Sequence, residues 1–328
     1  AGRALEEGMV ELFRPQAVAN TAWAFASLGI VHRPLLEALA GHMRRTGFVG
    51  FAPRETANVV WAFATLDFHE PRVMTALGEQ MLRPQFLAQC NAHDVAMSVW
   101  AFARLDHRNE VLMERIATHA LQHGSLRAMM PREIANTVWA YARLGMNHLP
   151  LMEAVAGHLM DNGSIRTFNA RDITAIAWAF ATLGTENELL MTLITRRLVN
   201  GRFLYKFNPQ NLAMLVWAYA TLEVKHEELM DAVAFRLQQT GYLATFTPQG
   251  MANVVWAFAK LGYKNPDIMA MIAQEILQGD HLRRFSAQGL ANIAWAFATL
   301  RIEEEGLLQA LARHVTADGR LPEFTAQT

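Results

Sequence analysis

The stretch Ala57-Asn58-Val59-Val60-Trp61-Ala62-Phe63-Ala64-Thr65-Leu66 decides the fold, because the chain keeps returning to it. It comes back as Ala135-Asn136-Thr137-Val138-Trp139-Ala140-Tyr141-Ala142-Arg143-Leu144 and as Ala252-Asn253-Val254-Val255-Trp256-Ala257-Phe258-Ala259-Lys260-Leu261. Each of the eight tryptophans, Trp23, Trp61, Trp100, Trp139, Trp178, Trp217, Trp256 and Trp295, belongs to a copy; neighbours stand 38 residues apart once and 39 apart six times. A fixed period of that length marks tandem supersecondary units, each too small to bury its own apolar face and so stacked on the next. The reading is all-α: an α-solenoid superhelix of 38–39-residue helix-turn-helix repeats.

Working outward from each Trp, the units cover about residues 13–50, 51–89, 90–128, 129–167, 168–206, 207–245, 246–284 and 285–323. Gly8 and Val10 are placed as Gly47 and Val49 are after Trp23, and Phe324-Thr325-Ala326-Gln327-Thr328 restarts the pattern, so both ends are expected to cut a unit. Length alone predicts two or three domains, but a uniform period predicts one continuous solenoid over 1–328.

Within a unit, a first helix is expected to start at the Pro or Ala at Pro15, Pro53, Ala92, Pro131, Ala170, Pro209, Pro248 and Ala287, and to reach the Leu five after Trp. Proline suits a first turn because its missing N–H would be unpaired there anyway. Gly29, Gly145, Gly184 and Gly262 end this helix by adopting the left-handed cap. Asp67, Asp106, Glu223 and Arg301 take that place elsewhere, so the exits need not be identical. A second helix carries apolar residues at helical spacing, such as Leu35, Leu36, Leu39 and Met43, or Leu229, Val233 and Leu237. It stops at Gly47, Gly124, Gly163, Gly201, Gly241, Gly279 and Gly319, whereas the second repeat has Arg83-Pro84-Gln85.

On a helical wheel the apolar residues wrap most of the first helix, which makes it an inner helix. A narrow polar stripe remains at positions −7, −6 and −3 before the Trp and +4 after it. The −7 column reads Gln16, Arg54, His93, Arg132, Arg171, Gln210, Gln249, Gln288. The −3 column reads Asn20, Asn58, Met97, Asn136, Ala175, Met214, Asn253, Asn292, and the +4 column Ser27, Thr65, Arg104, Arg143, Thr182, Thr221, Lys260, Thr299. These three columns hold no acid; the acids sit beside them at −6 as Glu55, Asp94, Glu133 and Asp172. Arg and Lys suit phosphates, Asn and Gln suit base edges, and Arg or His stacks on bases, which together suit single-stranded RNA. The tryptophans could serve as base-stacking platforms, but at the edge of an apolar wrap and flanked by Ala they are expected to be core, as are Phe25 and Phe63 and their equivalents. The recurring Asn either links to its neighbour in the next unit or faces RNA, since a buried amide must find a partner. The −7 arginines could pair with the −6 acids near the helix start, but exposed pairs contribute only about 0–1 kcal/mol, which favours the RNA role.

Net charge is −1 and 52% of residues are hydrophobic, which excludes disorder and leaves a binding face to segregation of charge, not excess. Cys90, the one cysteine, excludes an internal disulfide, fits a reducing compartment and reads as a small buried filler. Charged residues or His interrupt every apolar segment, so no membrane partner is expected. His119 and His123 stand i, i+4 but lack a third ligand, so no metal is expected. Glycine-rich phosphate loops, nucleophile elbows and convergent carboxylates are missing, which predicts no enzyme, no cofactor and no small-molecule substrate.

With the motif Phe-x-Pro/Ala-Gln/Arg-x-x-Ala-Asn-x-x-Trp-Ala-Phe-Ala-x-Leu-Gly laid out over eight in-register copies, the chain resembles the octotricopeptide-repeat family of organellar RNA-binding proteins. It lacks the Pro-Pro-Glu-Trp element of green-algal arrays, which places it on a divergent branch. The resemblance implies sequence-selective binding of single-stranded RNA in a chloroplast or mitochondrion, serving transcript stability, processing or translation, with about one nucleotide per unit read at −7, −6 and −3. The candidate RNA-binding residues are Gln16, Asn20, Arg54, Asn58, His93, Met97, Arg104, Arg132, Asn136, Arg143, Arg171, Gln210, Gln249, Asn253, Lys260, Gln288 and Asn292. The alternative is a protein-binding scaffold or structural subunit of an organellar ribonucleoprotein, with other proteins as partners.

Overall fold

The computed structural model describes residues 9–122, 125–161, 163–279 and 281–317; Gly8, His123, Gly124, Gly319 and the restart at Phe324 lie outside them. Among the described residues there is no strand. The chain divides into two compact units, residues 1–161 and 162–328. In the first unit the first helices are α1 (Pro15–Ser27), α3 (Pro53–Thr65), α5 (Ala92–Arg104) and α7 (Pro131–Arg143). Its second helices are α2 (Arg33–Thr46), α4 (Pro71–Met81), α6 (Glu110–Leu121) and α8 (Leu149–Met160). In the second unit the first helices are α9 (Ala170–Thr182), α11 (Pro209–Thr221), α13 (Pro248–Leu261) and α15 (Ala287–Leu300). They alternate with α10 (Glu188–Val199), α12 (Glu227–Leu237), α14 (Pro266–Leu277) and α16 (Glu305–Ala317).

All eight first helices start at the expected Pro or Ala. Each lies against the first helix of the next repeat within its unit: α1 on α3, α3 on α5 and α5 on α7, then α9 on α11, α11 on α13 and α13 on α15. Alanine makes that approach possible. Ala57, Ala62 and Ala64 around Trp61 are buried, as are Ala213, Ala218 and Ala220 around Trp217, so the helices meet almost backbone to backbone. The ring two residues after each Trp fills the space under the second helix: Phe63, Phe102, Tyr141, Phe180, Tyr219, Phe258 and Phe297 are buried, and Phe25 is half-buried. Where the ring is tyrosine, its hydroxyl finds a carbonyl on the second helix of the preceding repeat, Tyr141 donating to Met113 at 2.6 Å and Tyr219 to Met191 at 2.9 Å. Burial drives both phenols well above their ordinary range, so they stay neutral donors.

The exits from the first helix are alike after all. Gly29, Gly145, Gly184 and Gly262 are left-handed, and Asp67, Asp106, Glu223 and Arg301 are held in the same conformation at φ 52 to 56°. The left-handed residue lets the following N–H reach back to the helix, as Phe68 does to Phe63 and Ile302 to Phe297, and stacking demands this geometry whatever the side chain. One expected glycine stop moves. Helix α10 passes from Val199 into a 3-10 turn over Asn200–Lys206, in which Arg202 is left-handed.

A further polar column lies nineteen residues after the Trp, on the second helix, buried at His42, Gln80, Glu275 and His314 and half-buried at His119, His158, Arg197 and Arg236. His42 contacts the carbonyl of Phe13 through Nε2 at 2.9 Å, and Gln80 donates to the carbonyl of Phe51 at 2.6 Å. Each ties the end of the second helix to the residue that precedes the first, and so closes the repeat.

Candidate functional site

Positions −7, −3, 0 and +4 are separated by four, three and four residues and therefore share one helix face. All eight −7 side chains are exposed: Gln16, Arg54, His93, Arg132, Arg171, Gln210, Gln249 and Gln288. At −3, Asn20 is exposed, and Asn58, Met97, Asn136, Ala175, Met214, Asn253 and Asn292 are half-buried. At +4 every side chain is exposed except the half-buried Thr221. The stripe is thus one continuous surface on the first helices of each unit.

The tryptophans belong to that surface and not to the core. None of the eight is buried: six are half-buried, and Trp23 and Trp295 are 48% and 44% exposed. The expectation of core tryptophans fails because the alanines beside each Trp already bring neighbouring helices together, leaving the indole between the −3 and +4 side chains. The −6 column leaves the surface. Asp94 and Asp172 are buried, each in a reciprocal cap with Asn91 or Asn169: the Asp94 N–H donates to Asn91 Oδ1 at 2.9 Å and the Asp172 N–H to Asn169 Oδ1 at 3.0 Å. Glu133 accepts from the backbone N–H of Met130 at 2.9 Å. Three of the four −6 acids thus help to start helices; Glu133 also meets His93 of the stripe, and the half-buried Glu55 has a carboxylate oxygen without a hydrogen-bond partner.

Charge divides unevenly. In the first unit the stripe carries Arg54, His93, Arg104, Arg132 and Arg143; in the second it carries Arg171 and Lys260 among Gln210, Gln249, Gln288, Asn253 and Asn292. His93 pairs with Glu133 at 2.9 Å, Arg104 approaches Asp67 at 3.8 Å, and Lys260 meets Glu223 at 2.6 Å. That lysine holds the Glu223 carboxyl below its usual range. The ion pairs among the described residues do not include Arg54, Arg132, Arg143 or Arg171. Arg54 nonetheless acts at a distance on Asp94: burial pushes that carboxyl up, while the Asn91 backbone, His93 and Arg54 pull it down. No hydrogen bond joins one −3 asparagine to the next among the described residues; the one amide bond in the stripe runs within a repeat, from Gln288 Nε2 to Asn292 Oδ1 at 3.2 Å. The asparagines therefore do not form a ladder that fixes the stacking.

Between first helices of the second unit the face sinks into a groove of about 560 Å³, walled by Trp178 and Trp217 and edged by Gln210, Gln249 and Asn253. Cys90 lies apart from the stripe, half-buried, with its thiol directed at the carbonyl of Phe86 at 3.4 Å. Burial, aided by Asp94, pushes that thiol up to about 12, which leaves it a poor nucleophile. The described residues contain no group of three or more His, Cys, Asp or Glu placed to hold a metal ion, and no helix of theirs is long and apolar enough to cross a membrane.

The −7, −3 and +4 columns share one helix face, as their spacing predicts; the sequence reading did not place the Trp on that face and missed the column at +19. Comparison with curated proteins finds no match. One protein family, described as RNA-editing substrate-binding complex 6 protein, matches residues 152–328.

Proposed function

Because the chain belongs to the RNA-editing substrate-binding complex 6 protein family, we propose that it binds single-stranded RNA along the −7, −3 and +4 face of its first helices. The observation that carries this reading is the set of cations outside any ion pair on the first-helix face of each unit, Arg54, Arg132 and Arg143 in the first and Arg171 in the second, with exposed amides beside them. Guanidinium groups without a carboxylate partner are free to take phosphates, and the amides offer donors and acceptors to base edges. In this reading unit 1 grips the backbone and unit 2, richer in amides, discriminates among bases. The likeness to octotricopeptide repeats adds a finer proposal of about one base per repeat, read at −7 and −3 but not at −6, where Asp94, Glu133 and Asp172 are engaged in capping and Ala17, Gly250 and Gly289 offer no polar side chain. An organelle is the proposed setting, and the family name gives no ground for a chloroplast.

A second reading, a scaffold within an RNA-editing complex, is favoured by the family's description as part of a complex and by exposed apolar side chains on second helices, such as Val111, Leu149 and Leu189. Fluorescence anisotropy with a labelled single-stranded RNA and its duplex separates the two. The RNA reading expects tight, salt-sensitive binding of the single strand and weaker binding of the duplex. Absence of any RNA affinity, with protein partners that survive nuclease treatment, favours the scaffold.

A further inference from the structure

The tryptophans stand at the edge of the core and not within it. Alanines set the distance between first helices, and the Phe or Tyr two residues on fills the space beneath the second helix; seven of those eight rings are buried and Phe25 is half-buried. The indoles lie outside that core with part of each ring in solvent. A position that only had to shield alanine could hold Leu or Met. The −3 column, one turn away and equally half-buried, does vary among Asn, Met and Ala, whereas the Trp column is Trp in all eight copies. An aromatic face, not bulk, is what the position keeps.

The groove of the second unit adds the chemistry. Two indoles, Trp178 and Trp217, wall it; Met214 lies between them; Gln210, Gln249 and Asn253 supply amide donors and acceptors at its edges. No charged side chain lines it. Its volume of about 560 Å³ falls within the range of small-ligand pockets, about 300–1,000 Å³. An uncharged slot of aromatic walls and amide edges matches a flat, neutral, hydrogen-bonding ring better than it matches a phosphate. Cations at −7 and +4 on the same face remain for the backbone. We infer that the tryptophan column is a row of stacking platforms for nucleobases, each indole taking a base face while the neighbouring −7 and −3 amides meet its edge. The inference rests on the RNA reading above and names the part of RNA that the groove takes.

The test uses the whole chain, two probes and two pairs of substitutions. The probes are a short single-stranded RNA and an oligonucleotide of the same length and charge whose sugars carry no bases; the variants are W217L/W256L, which removes the ring faces, and W217F/W256F, which keeps smaller ones. RNA should quench the intrinsic tryptophan fluorescence and bind the wild type at least about tenfold more tightly than the abasic chain, stacking on aromatic rings being worth roughly five- to 100-fold per base. W217L/W256L should lose about that factor toward RNA and almost nothing toward the abasic chain, and W217F/W256F should recover part of the loss. Equal affinity of the wild type for both probes, or a loss in W217L/W256L that is the same for both, overturns the stacking role and leaves RNA binding standing. Failure of the wild type to bind either probe sinks the RNA reading itself. If W217L/W256L does not fold, the phenylalanine pair and the fluorescence response decide alone: no quenching by RNA, and no difference from wild type on either probe, overturns the inference.

Discussion

The four arginines outside any ion pair allow a substitution that the fold has already tried. Glutamine occupies −7 in Gln16, Gln210, Gln249 and Gln288, and threonine occupies +4 in Thr65, Thr182, Thr221 and Thr299, so R54Q/R132Q/R143T/R171Q installs residues the same helix already carries at the same positions. All four sites are exposed, and exposed substitutions shift stability by no more than about 0.5 kcal/mol each, so folding should survive. Each phosphate contact contributes about 0.7 to the slope of log affinity against log salt for a single strand, so losing four flattens the slope by about 2.8. Extrapolated from about 1 M salt, that is a loss of about 200-fold at 0.15 M. The ratio of wild-type to variant affinity should also grow about fiftyfold as salt falls from about 0.2 M to about 0.05 M. Anisotropy titrations across that range, with circular dichroism on both proteins, measure it. An unchanged slope in a folded variant refutes the claim that these side chains meet phosphates.

Three further outcomes follow from the packing. At the first-helix exits, R301G should stabilise its unit by about 0.5–1 kcal/mol by removing a Cβ from a left-handed residue, and D106G by less, since Asp tolerates that region; thermal melts should rank them in that order. Q80L leaves the Phe51 carbonyl without its donor and should cost about 1–3 kcal/mol, whereas Q80H, which copies His42 against Phe13, should cost much less in chemical denaturation. With its thiol pushed up to about 12, Cys90 stays neutral throughout the ordinary range, so alkylation by iodoacetamide in the native protein should be slow at pH 8 and should keep accelerating as pH rises toward 12; a plateau near pH 9 would mean an ordinary exposed thiol.

Most of the fold was legible because one residue type keeps a fixed period. Once Trp61 and its copies were aligned, the proline starts, the glycine exits and the apolar face of the second helix fell into columns, and the helices follow them. The tryptophan's own place was legible too, and was misread. Its offsets of seven and three from the polar columns before it, and four from the column after it, put it on their face, but the flanking alanines suggested burial. Those alanines instead bring two helices so close that a large ring has no room between them. The −6 acids were also misread as a rim to the stripe, though Asn91 and Asn169 stand three residues before Asp94 and Asp172 as in a reciprocal cap. The +19 column reads His42, Gln80, His119, His158, Arg197, Arg236, Glu275 and His314; its histidine recurs four times, but the other four side chains differ, and the common distance from Trp is the signal that could have found it. Which arginines pair could not be read at all, because Asp67 and Glu223 reach Arg104 and Lys260 across a repeat boundary.

The central claim is that RNA lies on the exposed face of the first helices. The most direct measurement is ultraviolet crosslinking of the full chain to a single-stranded RNA carrying photoreactive uridines, with the attached peptides and residues identified by mass spectrometry. The account predicts crosslinks on α3, α5, α7, α9, α11 and α13, at or beside Trp61, Trp100, Arg132, Arg171, Trp217 and Gln249. Crosslinks confined to the second helices and their turns, with none on the first, would contradict it.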